Sequence, residues 1–327
     1  MVSYPNIFVN IFLLFIYIFI YIYNNSVIFL HFQPNFSQFY TFPKAVFIMI
    51  NQNPAFVLPY GGNYDKMDTK KEDGMLHKND IPILEYSDAE SAVINPQNTL
   101  NLPAKCLMTF FEEVLLEKAA SSGARKVGAY QSEMRDFDIY VFSENGEEFC
   151  MTLASVGGAS AAMQADFLFG NGVEVLYVCG SCGVLADICA GEVIIPEKAL
   201  RGEGASYMYL PPKRFIELDR NAVGIAEETV SAHGVRAHRT VTWTTDGFYR
   251  ECAEMVEYRK SEGCEVVEME CASLAAVAQF RGKLFGQLLY SGDILCDTDN
   301  YDDRDWYNNK SARSLLFELA LEILKKL

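Results

Sequence analysis

From Val173 to Cys179 every residue but Glu174 is apolar, and this stretch constrains the fold more than any other. A strand that is apolar on both faces has to lie inside a sheet covered on two sides. The neighbouring segments supply the covers and the partner strands. Ala159 to Phe169 reads as a helix ended by Gly170 and Gly172, and Val193 to Ile195 as a strand closed by Pro196. Downstream, Asp219 to Ala232, Glu251 to Ser261 and Cys271 to Arg281 read as helices, with Thr240 to Trp243, Val266 to Val267 and Leu284 to Tyr290 as strands between them. Ser311 to Lys326 closes as an amphipathic helix with lysines at its negative end. Upstream, Lys105 to Ser121 reads as one helix carrying Phe110, Phe111, Val114 and Leu115 on one face. Asn145-Gly146, between Ile139–Phe142 and Phe149–Ala154, is a hairpin signature because it tolerates the positive φ of a tight turn. The expectation is one α/β domain with a central, mostly parallel mixed sheet flanked by helices and carrying an antiparallel hairpin.

With 327 residues the chain has ample length for such a core. The formal charge of -16, with no basic stripe, excludes a nucleic-acid partner, whose phosphates call for clustered Lys and Arg. Nine cysteines in an ordinary helix-and-strand pattern point to reduced thiols and a cytoplasmic location. Residues 1–61 differ in kind: they are apolar and dominated by Phe, Ile, Tyr and Asn, with a run from Ile7 to Tyr23 that Val27 to Phe32 could lengthen. No Lys or Arg precedes that run, so it lacks both a signal-peptide start and a positive-inside flank. The expectation is a segment outside the functional fold, with Met67 or Met75 as the working start; a membrane anchor through residues 7–32 is the alternative. Residues 62–80 read as linker and residues 81–327 as the catalytic domain.

Val266-Val267-Glu268-Met269-Glu270-Cys271-Ala272 places two carboxylates at the mouth of an apolar helix that follows a strand. Either could cap the helix, whose first amides are unpaired. Either could instead clamp a vicinal diol, since hydrogen bonds to an ionised oxygen contribute roughly 1.5 to 3 kcal/mol. Sequence leaves both open. In sheets of this kind ligands collect beyond the carboxyl ends of the strands, and three such ends stand out. Gly180-Ser181-Cys182-Gly183 reads as a strand-exit turn able to aim amides and a hydroxyl at an anion. Tyr290-Ser291-Gly292-Asp293 offers an acid able to cap, or to hold and move a proton. Trp243-Thr244-Thr245-Asp246 offers a ring that is either core or a platform for a base. Cys179 and Cys182 form a CxxC without the further ligands zinc needs, so no metal is expected. The chain lacks a Gly-x-Ser-x-Gly elbow, which disfavours serine-hydrolase chemistry. Asp297, Asp299, Asp302, Asp303 and Asp305 lack the glycine and closing Glu of a calcium loop and read as a solvated lid.

Together, Val267-Glu268-Met269-Glu270 and Gly180-Ser181-Cys182-Gly183 resemble the nucleoside phosphorylase family, which includes purine nucleoside and uridine phosphorylases and the methylthioadenosine nucleosidases; the likeness runs from about Ile81 to the C-terminus. The resemblance implies that Glu270 and Met269 grip the ribose, Glu268 lines the nucleoside pocket and Trp243 stacks on the base. It also implies that Ser181 and Gly180 bind phosphate, that Gly157-Gly158 form the glycine turn beside phosphate and ribose, and that Asp293 protonates the purine. A homo-oligomer (dimer, trimer or hexamer) is implied as well, with phosphate as co-substrate and no cofactor. Two features depart from the family. Val178 stands where the phosphorylases carry an arginine, and their early glycine-aspartate-proline-x-arginine phosphate loop is missing, its place taken by Leu84 to Pro96. Arg135, Arg201 and Arg250 are the candidate replacements, because a buried dianion without a cation is costly. The expected activity is phosphorolysis of a purine nucleoside or uridine, tilted to purines, giving free base and ribose 1-phosphate. Hydrolysis by water and non-catalytic nucleoside binding are the alternatives.

Overall fold

In the computed structural model, residues 74–90, 92–297 and 301–327 are described. The apolar segment 1–61 and most of the expected linker therefore lie outside the described residues. The expected linker's last residues include a two-residue strand, β1 (Leu76–His77), paired with β2 (Tyr86–Ser87). No helix among the described residues is long and apolar enough to cross a membrane.

The main sheet has ten strands. In chain order they are β3 (Lys105–Thr109), β4 (Arg125–Gln131), β5 (Asp136–Glu144), β6 (Glu147–Leu153), β7 (Val175–Val184), β8 (Val193–Gly202), β9 (Phe215–Glu217), β10 (Ala237–Thr245), β11 (Cys264–Glu268) and β12 (Leu284–Ile294). Across the sheet the order is β11-β10-β8-β12-β7-β3-β6-β5-β4, with β9 beside β8. Helices α1 (Glu112–Ser121), α2 (Gly158–Gly170), α3 (Ser206–Tyr209), α4 (Arg220–Ala232), α5 (Ala253–Ser261), α6 (Cys271–Phe280) and α7 (Lys310–Lys326) flank it. This is the expected mixed α/β fold in one domain.

The doubly apolar stretch supplies the first half of β7, running parallel between β3 and β12. Asn145 and Gly146, at φ 53° and 85°, turn the chain between β5 and β6, as the hairpin signature requires. Two expectations are corrected. Residues 105–109 are strand, not helix: Cys106, Leu107, Met108 and Thr109 are fully buried between β6 and β7, and the helix starts only at Glu112. A short apolar run fits either period, and here the open place beside β7 decides it. Gly180-Ser181-Cys182-Gly183 is not a turn either. It continues β7, in register with Leu289, Tyr290 and Ser291 of β12 and with Val267 of β11. Gly180 is required there because a Cβ would meet the Phe110 ring at 2.8 Å.

The β11 strand pairs parallel with β10 on one side and antiparallel with the end of β7 on the other, which brings its last residue, Glu268, beside the ends of both. Helix α6 follows at once and is buried from Cys271 to Ala278. Its mouth therefore lies at the carboxyl ends of β7, β10, β11 and β12.

Candidate functional site

The two carboxylates at the mouth of α6 have different tasks. Glu268 is spent on structure. Its Oε2 accepts the amides of Glu270 (2.8 Å) and Cys271 (2.6 Å), and its Oε1 accepts the hydroxyls of Thr244 (2.6 Å) and Thr242 (3.3 Å). Thr244 Oγ1 in turn accepts the amide of Ala272 at 3.0 Å. Strand alternation sets this up: Thr242 and Thr244 share a face of β10, and Thr244 is in register with Glu268. The helix-capping alternative thus belongs to Glu268. Burial pushes its carboxyl upward, and these hydrogen bonds pull the other way.

Glu270 is buried too, but only Oε1 is engaged, by the amide of Gly157 at 2.6 Å. Burial first, then the charge of Glu268, raise its carboxyl above the usual range. Gly157 sits at φ 93°, a conformation that favours glycine. At Gly158 a Cβ would lie 2.5 Å from Ser273 Oγ and 3.4 Å from the Met269 carbonyl, so this glycine lets α2 and α6 meet closely. The Gly157-Gly158 turn and the half-buried Met269 thus share one corner with Glu270.

Asp293, near the end of β12, lies beside the end of β7, where a Cβ on Gly183 would come to 3.3 Å from its Oδ1. Tyr301 Oη donates to its Oδ2 at 3.2 Å, and burial raises its carboxyl. The acidic stretch that carries Tyr301 is pinned in place: the Ile294 amide bonds the Asp302 carbonyl at 2.8 Å, and an Arg304 guanidinium N–H bonds the Ile188 carbonyl at 2.9 Å.

The other expected site residues divide. Trp243 faces away from Thr242 and Thr244, and is 4% exposed among Leu185, Leu200, Val256, Cys264 and Val267 with Arg259 over its ring. The core alternative describes it; no open ring face is left for a base. Arg201 is buried and committed to Ser206 Oγ and to the carbonyls of Pro211 and Leu210. Arg135 is exposed and paired with Glu112 at 2.8 Å. Arg250 is exposed, without an ion pair among the described residues. Ser181 is half-buried, in register with Tyr290.

Four further residues escape sequence reading. Phe248, 52% exposed, lies on the turn that follows β10. Glu251 ends that turn, half-buried, and burial together with Asp293 pushes its carboxyl up to about 7. Glu203, 4% exposed, accepts the Ser206 amide at 2.9 Å and the Ser273 hydroxyl at 2.6 Å. Arg313, from α7, reaches Tyr290 Oη at 3.5 Å and pairs with Glu113 at 2.9 Å. No short-range signal marks them, because each acquires its place through contacts between distant segments.

An α/β sheet with carboxylates gathered at the carboxyl ends of its strands defines the class. The family follows from comparison: the model of the phosphorylase superfamily matches residues 106–325, and the chain belongs to that family. Among curated relatives it is similar to a guanosine phosphorylase of Halorubrum lacusprofundi, 27% identical over 180 residues that span 53% of this chain and 73% of that one. It is also similar to a purine nucleoside phosphorylase of Plasmodium vivax, 24% identical over 61% of this chain and 81% of the relative. Among solved structures, the uridine phosphorylase of Vibrio fischeri shares the fold at TM-score 0.61 and 19% identity, covering 71% of this chain and 98% of that one. The 5'-methylthioadenosine/S-adenosyl homocysteine nucleosidase of Campylobacter jejuni does so at TM-score 0.58 and 16% identity, covering 69% and 100%.

Proposed function

We infer that the protein cleaves the N-glycosidic bond of a purine nucleoside and passes the sugar to phosphate. The observation that carries the cleavage reading is the division of labour at α6: Glu268 is saturated by the helix it caps and by two threonines, whereas the buried Glu270 carboxyl accepts through Oε1 and leaves Oε2 uncommitted. In this reading Glu270 accepts the ribose hydroxyls, strengthening its hold as the sugar becomes cationic. Met269 lines the sugar side, and Gly157 holds Glu270 through its amide. Asp293 gives a proton to the departing base. The ring left to meet the base is that of Phe248, exposed and packed against Tyr249, and not the buried Trp243.

The curated relatives support phosphate as acceptor, with Ser181 and Arg250 as the groups that would meet it, a role also open to Arg135 of a second copy in a homo-oligomer. One specific observation favours water instead. Two buried arginines are already committed, Arg313 to Glu113 and Arg201 to its own turn, and Val178 is buried core where a cation would be needed. Release of free base from inosine, guanosine, adenosine and uridine, followed with and without phosphate, tests both readings. Phosphate-dependent release with ribose 1-phosphate as product supports the first. Equal release in phosphate-free buffer selects water, and no release from any nucleoside refutes cleavage.

A further inference from the structure

Glu203 stands one residue past the end of β8 and is buried. Both of its hydrogen bonds fall on one oxygen. Oε2 accepts the Ser206 amide at 2.9 Å and the Ser273 hydroxyl at 2.6 Å, while Oε1 is buried with no hydrogen-bond partner among the described residues. Ser273 lies in the first turn of α6, three residues after Glu270. It is also the side chain onto which Gly158 presses. A Cβ on Gly158 would stand 2.5 Å from Ser273 Oγ, 3.4 Å from Glu203 Oε2 and 3.4 Å from the Met269 carbonyl. Gly157, one residue back, gives its amide to Glu270 Oε1 at 2.6 Å. The elbow of two glycines is therefore gripped from both sides, by Glu270 at the amide of Gly157 and by the Glu203–Ser273 pair against Gly158. It needs that grip. Gly157 sits at φ 93°, neither glycine has a side chain to lock it, and α2, which starts there, has no side-chain cap of its own.

We propose that Glu203 is a positioning residue for the sugar: acting through Ser273 it fixes the Gly157-Gly158 elbow, and so sets the angle at which Glu270 presents Oε2 to the ribose hydroxyls. The inference rests on the cleavage reading above. Glu203 itself touches no reacting atom. Its part is to keep the Ser273 hydroxyl pointed at β8. A helical serine without such an acceptor turns its hydroxyl to the carbonyl four residues back, which here is that of Met269, and the face that supports Gly158 then changes shape. Because Gly157 and Glu270 share one hydrogen bond, a shift of the elbow is passed to the Glu270 carboxyl. A misplacement of about 1 Å in a reacting site costs up to roughly 10² in rate, so a small shift suffices.

Kinetics on the full chain test it, with a purine ribonucleoside that the wild type cleaves and its 2',3'-dideoxy counterpart, which offers Glu270 no hydroxyl to hold. Ser273→Ala is expected to lose about fivefold in kcat/KM on the ribonucleoside and under about twofold on the dideoxynucleoside. Glu203→Gln still offers an amide oxygen to Ser206 and Ser273, so it should show the same dependence on substrate with a loss of about threefold. A double-mutant cycle uses the ribonucleoside alone: in a Glu270→Ala background, where no carboxyl remains to be aimed, Ser273→Ala should cost under about twofold. A role in the fold alone would lower both substrates together. Equal losses on the two substrates, a loss that persists undiminished in the Glu270→Ala background, or Ser273→Ala at the wild-type rate overturns the positioning role. If Ser273→Ala does not fold, the substrate dependence of Glu203→Gln decides in its place. Wild-type protein that releases no base from any nucleoside overturns the cleavage reading, and the positioning role with it. Base release with losses that ignore the sugar hydroxyls overturns the positioning role only.

Discussion

Glu268 and Glu270 lie two residues apart, are both buried, and respond oppositely to truncation. Glu268→Ala leaves the amides of Glu270 and Cys271 without acceptors and strips two threonine hydroxyls of theirs. Orphaned buried donors cost roughly 1–3 kcal/mol each, so the two amides alone amount to about 2–6 kcal/mol. Removing a carboxyl that burial has already pushed upward returns part of this, for a net loss of about 3 kcal/mol. In a domain of this size that lowers Tm by about 6–12 °C. Glu270→Ala frees only the Gly157 amide and removes a carboxyl whose charge is disfavoured by burial and by Glu268, so its net effect is within about 1 kcal/mol. Calorimetric melting and urea unfolding at pH 7.5 measure both. Equal losses in the two variants, or a Glu268→Ala protein as stable as wild type, would refute the assignment of cap and clamp.

The same Glu270→Ala variant should lose at least about tenfold in kcat/KM for base release, about 1.4 kcal/mol, because the sugar loses its acceptor; unchanged kinetics on a cleaved nucleoside would remove Glu270 from the sugar site. Glu251 has a folded-state value of about 7, above that of an unfolded carboxyl, so its protonated form favours the fold. The stability it contributes is fully present below about pH 4.3 and is lost as pH rises towards 7. Glu251→Gln should therefore flatten the fall in urea midpoint between pH 5 and 7, and a slope parallel to wild type would contradict this. Gly158→Ala forces a Cβ to within 2.5 Å of Ser273 Oγ and should destabilise by about 1–3 kcal/mol. Pairing it with Ser273→Ala should recover part of that loss in a double-mutant cycle, and strictly additive losses would place the strain elsewhere.

The central layer of the fold could be read from local signals. Val173 to Cys179 announces its own burial, and Asn145-Gly146 announces its own turn, because each depends on nearby residues. Cys106 to Thr109 defeats the same reasoning: its apolar run satisfies a helix or a strand, and the vacancy beside β7 that chooses between them is created by residues far along the chain. The site divides in the same way. The doublet at Glu268 and Glu270 was visible as a pair, but the separation of cap from clamp depends on Thr244, a strand away. Trp243 is a large ring at a strand end, yet strand alternation turns it into the core, while Phe248, five residues on, stays exposed. Glu251 and Arg313 carry no local mark at all, since the half-burial of the one and the bond of the other to Tyr290 depend on distant segments.

The double pairing of β11 has a consequence for how the protein can respond to a ligand. Because this strand is stitched to neighbours on both flanks, it has no loose border from which to peel, and Val266 and Val267 belong among the slowest amides to exchange. Glu270, which follows this strand directly, is thus mounted on an anvil. Adjustment to one heterocycle or another falls to the short turns around it, and exchange of substrate preference should track changes at residues 248–251 and 301–305 while the anvil stays unaltered.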